Sequence, residues 1–349
     1  MQRPDTGWEG VLALAASHDL LPALWSAGRA RGWWAPLPSD ALRQVTDHFS
    51  GGRTQPPLLL QQAYEANRVR VADLTGQADA IVDHLEAAGI VPVPLKGLHA
   101  LRAGWWTDPA DRVMRDLDVL VAEDDAERAV GGLAGLGYVP LATGHTPEAD
   151  HELPAVHLPG HAGSVELHTA LAVRRWRAVL PAADVLAAGP PMSTTHAVIH
   201  SIAHAQLHDE AHLLGRIPLR ALHELSVVTA GQRGEDVDWP GVRAAFRRVA
   251  AEPALDAHLH LARSLFGAAV PPPVGRMRAA VHTRLCRTLL GRPSVASTYE
   301  KAAFLPRALS AERMRALYGP GRPWVWRLRH VARSLGRSAR SLRPGAGSP

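Results

Sequence analysis

A set of short Val- and Leu-rich runs, confined to the middle of the chain with helical periodicity on both sides, limits what these 349 residues can fold into. The runs are IVPVPL at 90–95, DLDVLVA at 116–122, YVPLA at 138–142, HELPAVHL at 151–158 and SVELHTAL at 164–171. Runs of this length and composition, punctuated by Gly, Pro and Asp, read as strands. EDDAERAVGGLAGLG, between the second and third, reads as a helix with acids in its first turn, which suits the helix dipole. HALRAGWW reads as a shorter helical stretch stopped by TDPAD. The pattern predicts a small mixed α/β unit over about 61–190.

The flanks are helical. Residues 8–30 have apolar positions near helical spacing and read as one or two helices. QPP at 55–57 marks a break, and 58–89 reads as a long helix ending at Gly89. After Pro190 and Pro191, the stretch 193–214 opens on Ser/Thr capping candidates. Helical stretches at 217–231, 239–251 and 253–267 follow, then the PPPVGR turn at 271–276 and a helix carrying Cys286. The expected fold class is α+β. A small mixed sheet with helices forms the core at 61–190, an N-terminal helical region occupies 1–60, a helical domain 191–312, and an Arg-rich helix and tail 313–349.

Composition narrows the function classes. Cys286 is the single cysteine, so a disulfide framework and a cysteine-based zinc site are both excluded. No run of 18 apolar residues predicts a membrane span, and MQRPDTGWEG does not read as a signal peptide, so a cytoplasmic setting is expected. The net charge of +5 is a property of the tail. Nine arginines and no acid follow Glu312, and removing them leaves −4 for residues 1–312. The body therefore does not read as a nucleic-acid surface.

The chemistry concentrates in RDLDVLV. Side chains at i and i+2 share one face of a strand, so Asp116 and Asp118 point together, with Leu117 and Val119 opposite. Two close carboxylates raise each other's pKa unless a cation stands between them. A hard divalent ion answers that need and leaves positions for substrate phosphates; solvated acids at a strand end are the plain alternative. Three neighbours favour the ion. Lys96 and Gly97 form a strand-to-helix turn, where a backbone N–H and an ammonium suit a phosphate. Arg112 and Arg115 precede the strand, placed to meet phosphate or balance the aspartates. Glu166, on another apolar strand-like run, is a third carboxylate that is costly to bury alone. His168, two residues on, shares its face.

The order LKG, a short helix, R-x-x-R-D-L-D-V-L-V, then V-E-L-H resembles the uncharacterised nucleotidyltransferase family of the DNA polymerase β-like nucleotidyltransferase superfamily. The N-terminal W-x-x-V-L-A-L-A-A-x-H, the later L-R-A-L-H-E-L and the closing F-L-P-R-A-L…M-R-A-L-Y-G are similar to the family's flanking helices, which extends the resemblance over roughly 8–330. Two positions depart from the expected pattern: Leu98 follows Gly97 where the superfamily usually has Ser or Gly, and Arg115 stands where a small residue usually precedes the first aspartate.

The resemblance implies transfer of a nucleoside monophosphate from an NTP, ATP foremost, to a hydroxyl-bearing acceptor. It implies that Asp116, Asp118 and Glu166 hold two Mg²⁺ ions, with Mn²⁺ as a substitute, and that Glu166 helps deprotonate the acceptor. Lys96 and Gly97 are implied at the β- and γ-phosphates, with Arg112, Arg115 and His168 near them. The rival readings are a non-catalytic member that binds a nucleotide or a partner protein, and a nucleic-acid-binding protein acting through the Arg-rich tail.

Two features stand apart. His196, His200, His204 and His208 recur every four residues, one stripe on a helix, and with His212 they raise a zinc reading. The plainer expectation is a helix packed on the catalytic unit. Arg220 and Glu224 are spaced as an intrahelical pair. The tail, with Trp324, Trp326 and arginines through Arg343, is a candidate contact for an anionic partner, against a solvated basic helix.

Overall fold

The computed structural model describes residues 8–33, 56–141, 152–309, 314 and 324–326. Most of the Arg-rich tail and the closing MRALYG stretch lie outside the described residues. The described residues divide into two compact units, one drawn from Met1–His212 and Ile217–Thr283, the other from Leu213–Arg216 and Arg284–Pro349.

The larger unit begins with two helices, α1 (Trp8–Ser17) and α2 (Leu21–Ala30), joined by a turn in which Asp19 adopts a φ of +56°. Helix α3 (Pro56–Ala87) is the longest. It stops as its sequence predicts. Gly89 takes a φ of +74°, Gly89 N–H donates to Glu86 O and Ile90 N–H donates to Leu85 O. That is the Schellman closure a C′ glycine permits, and it seats Ile90 in the core beside Leu85.

A five-stranded sheet follows, built from β1 (Val93–Pro94), β2 (Asp116–Leu120), β3 (Val139–Pro140), β4 (Val156–His157) and β5 (Ser164–His168), in the order β1-β2-β5-β4-β3. The five runs read from the sequence are the five strands, each shorter than its apolar run. Among the described residues only β2 and β5 pair in parallel, and they lie in the middle of the strand order. The edge strand β3 contains Pro140, which cannot donate to a ladder and so belongs at an edge.

The period-2 alternation of β2 and β5 splits the sheet into two faces. Leu117, Val119, Val165 and Leu167 join Leu74, Ala78, Ile81 and Leu85 of α3 in one core, with Ala129 and Leu133 of α5 (Ala126–Gly135). The opposite face carries Asp116, Asp118, Glu166 and His168. Helix α4 (Lys96–Arg102) starts directly after β1, earlier than HALRAGWW implied, and Trp105 and Trp106 fall beyond its end.

The later helices are α6 (Ala182–Ala188), α7 (Thr194–Ala203), α8 (Ala211–Leu214), α9 (Leu219–Ala230), α10 (Trp239–Arg248) and α11 (Glu252–Phe266). Side chains fix their starts: Ser193 accepts from His196 N–H and Asp238 from Gly241 N–H. Gly267, with a φ of +65°, closes α11. The stretch at 193–214 is not one helix. After α7 the chain widens into a π-turn, His204–His208, in which Asp209 N–H donates to His204 O five residues back.

Two further helices are α12 (Arg276–Leu290), which carries the buried Cys286, and α13 (Pro293–Ala308). In the smaller unit Arg216 pairs with Glu300 at 2.8 Å. Among the described residues no helix is long and apolar enough to cross a membrane.

Candidate active site

The site is built on the polar face of the two parallel strands. Their register sets Asp118 beside Glu166 and Leu120 beside His168, so carboxylates forty-eight residues apart in sequence become lateral neighbours. Asp118 is 2% exposed. Its Oδ1 accepts from Lys96 Nζ at 2.6 Å and contacts His168 Nε2 at 2.8 Å, while His168 Nε2 stands 3.9 Å from Glu166 Oε2. Asp118, Glu166 and His168 offer ligand atoms that all lie within 4.8 Å of one another, an arrangement able to hold a metal ion.

Lys96 reaches this point through its backbone. Leu95 is still extended and donates its N–H to Asp118 O, prolonging the β1–β2 pairing by one residue. Lys96 then turns at a φ of +44° into α4. That conformation costs a residue with a Cβ roughly 1–2 kcal/mol, and the turn sends the ammonium back onto the floor of the site.

The electrostatics follow from burial against neighbouring charge. Burial works against ionisation of Asp118, but His168 and Lys96 outweigh it and hold its carboxyl well below the usual range. Asp116 and Glu166 move the other way: burial first, then the charge of Asp118, pushes both upward. Burial opposes the charge on Lys96, yet Asp118, Asp116 and Glu166 together raise its pKa. Lys96 thus acts on all three carboxylates and Arg220 and Arg112 act on Asp116 as well, yet Asp116 and Glu166 stay above the usual range.

Asp116 lies at the edge of a cleft of about 430 Å³, together with Lys96, Gly97, Arg112, Arg115 and Arg220. Four of the five residues expected on the phosphate side, Lys96, Gly97, Arg112 and Arg115, thus line one cleft, while His168 lies on Asp118 and does not line it; Gly97, moreover, serves a close approach. A Cβ there would stand 2.1 Å from Arg112 Nη1 and 2.8 Å from Met114 Sδ, so the absent side chain is the space the guanidinium fills. Arg112 is buried, and its Nη2 donates to Glu224 Oε2 at 3.3 Å. The loop that carries it is tied to the helices behind: Asn67 Nδ2 donates to Ala110 O and Arg112 O, Tyr64 to Asp108, and Ser26 to Asp111.

Two pairings differ from the spacing argument. Glu224 pairs with Arg112, not with Arg220 four residues before it in α9. Arg220 instead meets Asp19 Oδ2 at 3.2 Å, and Asp19 Oδ1 accepts from Arg115 Nη2. Arg115 thus faces Asp19 at the α1–α2 turn and not the aspartate next to it. Sequence reasoning missed Asp19. The one local signal was an acid breaking the end of an apolar helical run.

The histidines part company at the π-turn. His200 is buried, and burial holds it neutral. The His204 and His208 rings stack at 4.7 Å, and His204 Nδ1 contacts Asp209 Oδ2 at 3.2 Å. These three residues make a second group with ligand atoms within 4.8 Å of one another. His212 leaves the stripe and packs its ring against His282.

No curated protein and no solved structure matches the chain. A family model described as an uncharacterised nucleotidyltransferase matches residues 4–267 and stops short of α12 and α13, to which the sequence resemblance had extended. The match takes in more than half of the chain, from the first helices through both central strands to the end of α11, and the chain belongs to the uncharacterised nucleotidyltransferase family.

Proposed function

We propose that the protein transfers a nucleoside monophosphate from an NTP to a hydroxyl-bearing acceptor, with Mg²⁺ at the β2–β5 carboxylates. One observation carries the reading: Asp118 and Glu166 are register partners on parallel strands, and Asp118 accepts from the Lys96 ammonium.

The residues fit a hard divalent ion. Asp118 and Glu166 offer oxygen donors within reach of each other, and Asp116 stands at the cleft edge with its carboxyl short of positive charge. Such donors suit Mg²⁺, which when bound would offset charge on the triphosphate and on the departing pyrophosphate. The chain does the rest. His168 Nε2 and Lys96 Nζ fix the Asp118 carboxylate from two sides. The Arg115 and Arg220 guanidinia, now on Asp19, are placed to take phosphate oxygens entering the cleft. Glu166 is the base for the acceptor hydroxyl: its carboxylate takes the proton as the acceptor oxygen bonds to the α-phosphorus and the α–β phosphoanhydride bond breaks, releasing pyrophosphate.

Label from α-labelled NTPs, incubated with cell extract, should move to an acceptor with the wild type and not with Asp116→Ala/Asp118→Ala. Equal transfer by both proteins would sink the assignment.

A further inference from the structure

We propose that His204, His208 and Asp209 form a second, independent metal site of the zinc class beside the carboxylate cluster. The π-turn makes it. A regular helix spaces His204 and His208 along one face and carries residue 209 away from it; the extra residue in the turn brings Asp209 back over His204, with Nδ1 and Oδ2 3.2 Å apart. Such turns in place of a regular helix recur at functional sites.

The donor set is two imidazoles and one carboxylate, all partly open to solvent. Imidazole with carboxylate suits Zn²⁺ and its neighbours in the transition series, not Mg²⁺. Tetrahedral coordination with bonds of about 2.1 Å sets ligand atoms about 3.4 Å apart. The present separations, within 4.8 Å, close to that by side-chain rotation on a fixed backbone. Three protein ligands leave a fourth position. His204 and Asp209 line the same cleft as Lys96, Asp116 and Arg220, so that position opens toward the cleft and takes a water or an anionic oxygen.

The site needs no nucleotidyl transfer to be real, and its test is separate. Co²⁺ serves as the probe, because tetrahedral cobalt absorbs visibly and Zn²⁺ displaces it. The full-length protein and the Glu166→Gln variant are both expected to develop the tetrahedral band and lose it on adding Zn²⁺. Outer-shell changes alone weaken metal sites about 10–100-fold. Removing a ligand by His208→Gln or Asp209→Asn should therefore weaken cobalt binding by more than about 100-fold. Asp209 is exposed, so its variant folds even if a histidine variant does not, and a thermal melt checks both. A band absent from the wild type, or one that survives both variants and vanishes in Glu166→Gln, overturns the proposal.

Discussion

Gly97 and Arg112 divide one space between them: the guanidinium lies where a side chain at position 97 would stand, and Glu224 holds it there from α9. The glycine that marks the motif in sequence is thus the receptor for an arginine fifteen residues later.

Gly97→Ala should destabilise the protein by about 1–3 kcal/mol, as overpacking does. The closest clash is with Arg112, so Arg112→Ala should remove the larger part of that penalty in the double variant and leave the contact with Met114 Sδ. Denaturant unfolding of the four proteins of the cycle measures the coupling.

Glu224→Ala strands the Arg112 guanidinium without its counterion in a buried setting. Removal of one partner from a buried pair costs about 3–5 kcal/mol. A loss under 1 kcal/mol in the same denaturation experiment would show that water reaches Arg112.

Glu166→Gln should stabilise the metal-free protein at neutral pH. The folded state raises the Glu166 pKa above its ordinary 4.5, so folding favours the protonated acid. That contribution is complete below the ordinary value and lost as pH rises through the raised one. The amide keeps the shape and drops the loss. Melting temperatures of both proteins between about pH 4 and pH 8 should converge in acid and separate at neutrality. Asp118 has the opposite sign: its carboxyl is held low, its stabilisation exists above the ordinary value, and Asp118→Asn should destabilise at neutral pH.

Asp19→Asn should leave stability nearly unchanged, within about 1 kcal/mol, because its partners Arg115 and Arg220 are exposed. It frees two guanidinia at the cleft. Tighter binding of a fluorescent ATP analogue, with a steeper salt dependence, is the expected result of a titration; weaker binding would place the triphosphate elsewhere.

The floor of the site was legible because strands have a strict period. Asp116, Asp118, Glu166 and His168 announce their shared faces through Leu117, Val119, Val165 and Leu167. The register of β2 against β5 was not, because a parallel pair depends on a long crossover that no local pattern encodes. The Arg220–Glu224 pairing was misread for a similar reason. A four-residue spacing suggested Arg220 with Glu224, while the real partners are 112 and 201 residues apart. The histidine stripe concealed its own interruption, since the inserted π-turn leaves the four-residue spacing of the letters intact.

The parallel pairing of β2 with β5 also sets a timetable during synthesis. Asp118 emerges from the ribosome fifty residues before His168, about 3–10 s at typical elongation rates. Lys96 has emerged by then, twenty-two residues ahead of Asp118, so the ammonium can join its carboxylate while the imidazole and the third carboxylate, Glu166, are still unmade. A nascent chain released at residue 163 should therefore bind no divalent ion at Asp118, and one long enough for His168 to have left the ribosomal exit tunnel should. The site matures in sequence, with an internal cation already attending the aspartate when the strand that completes it is born.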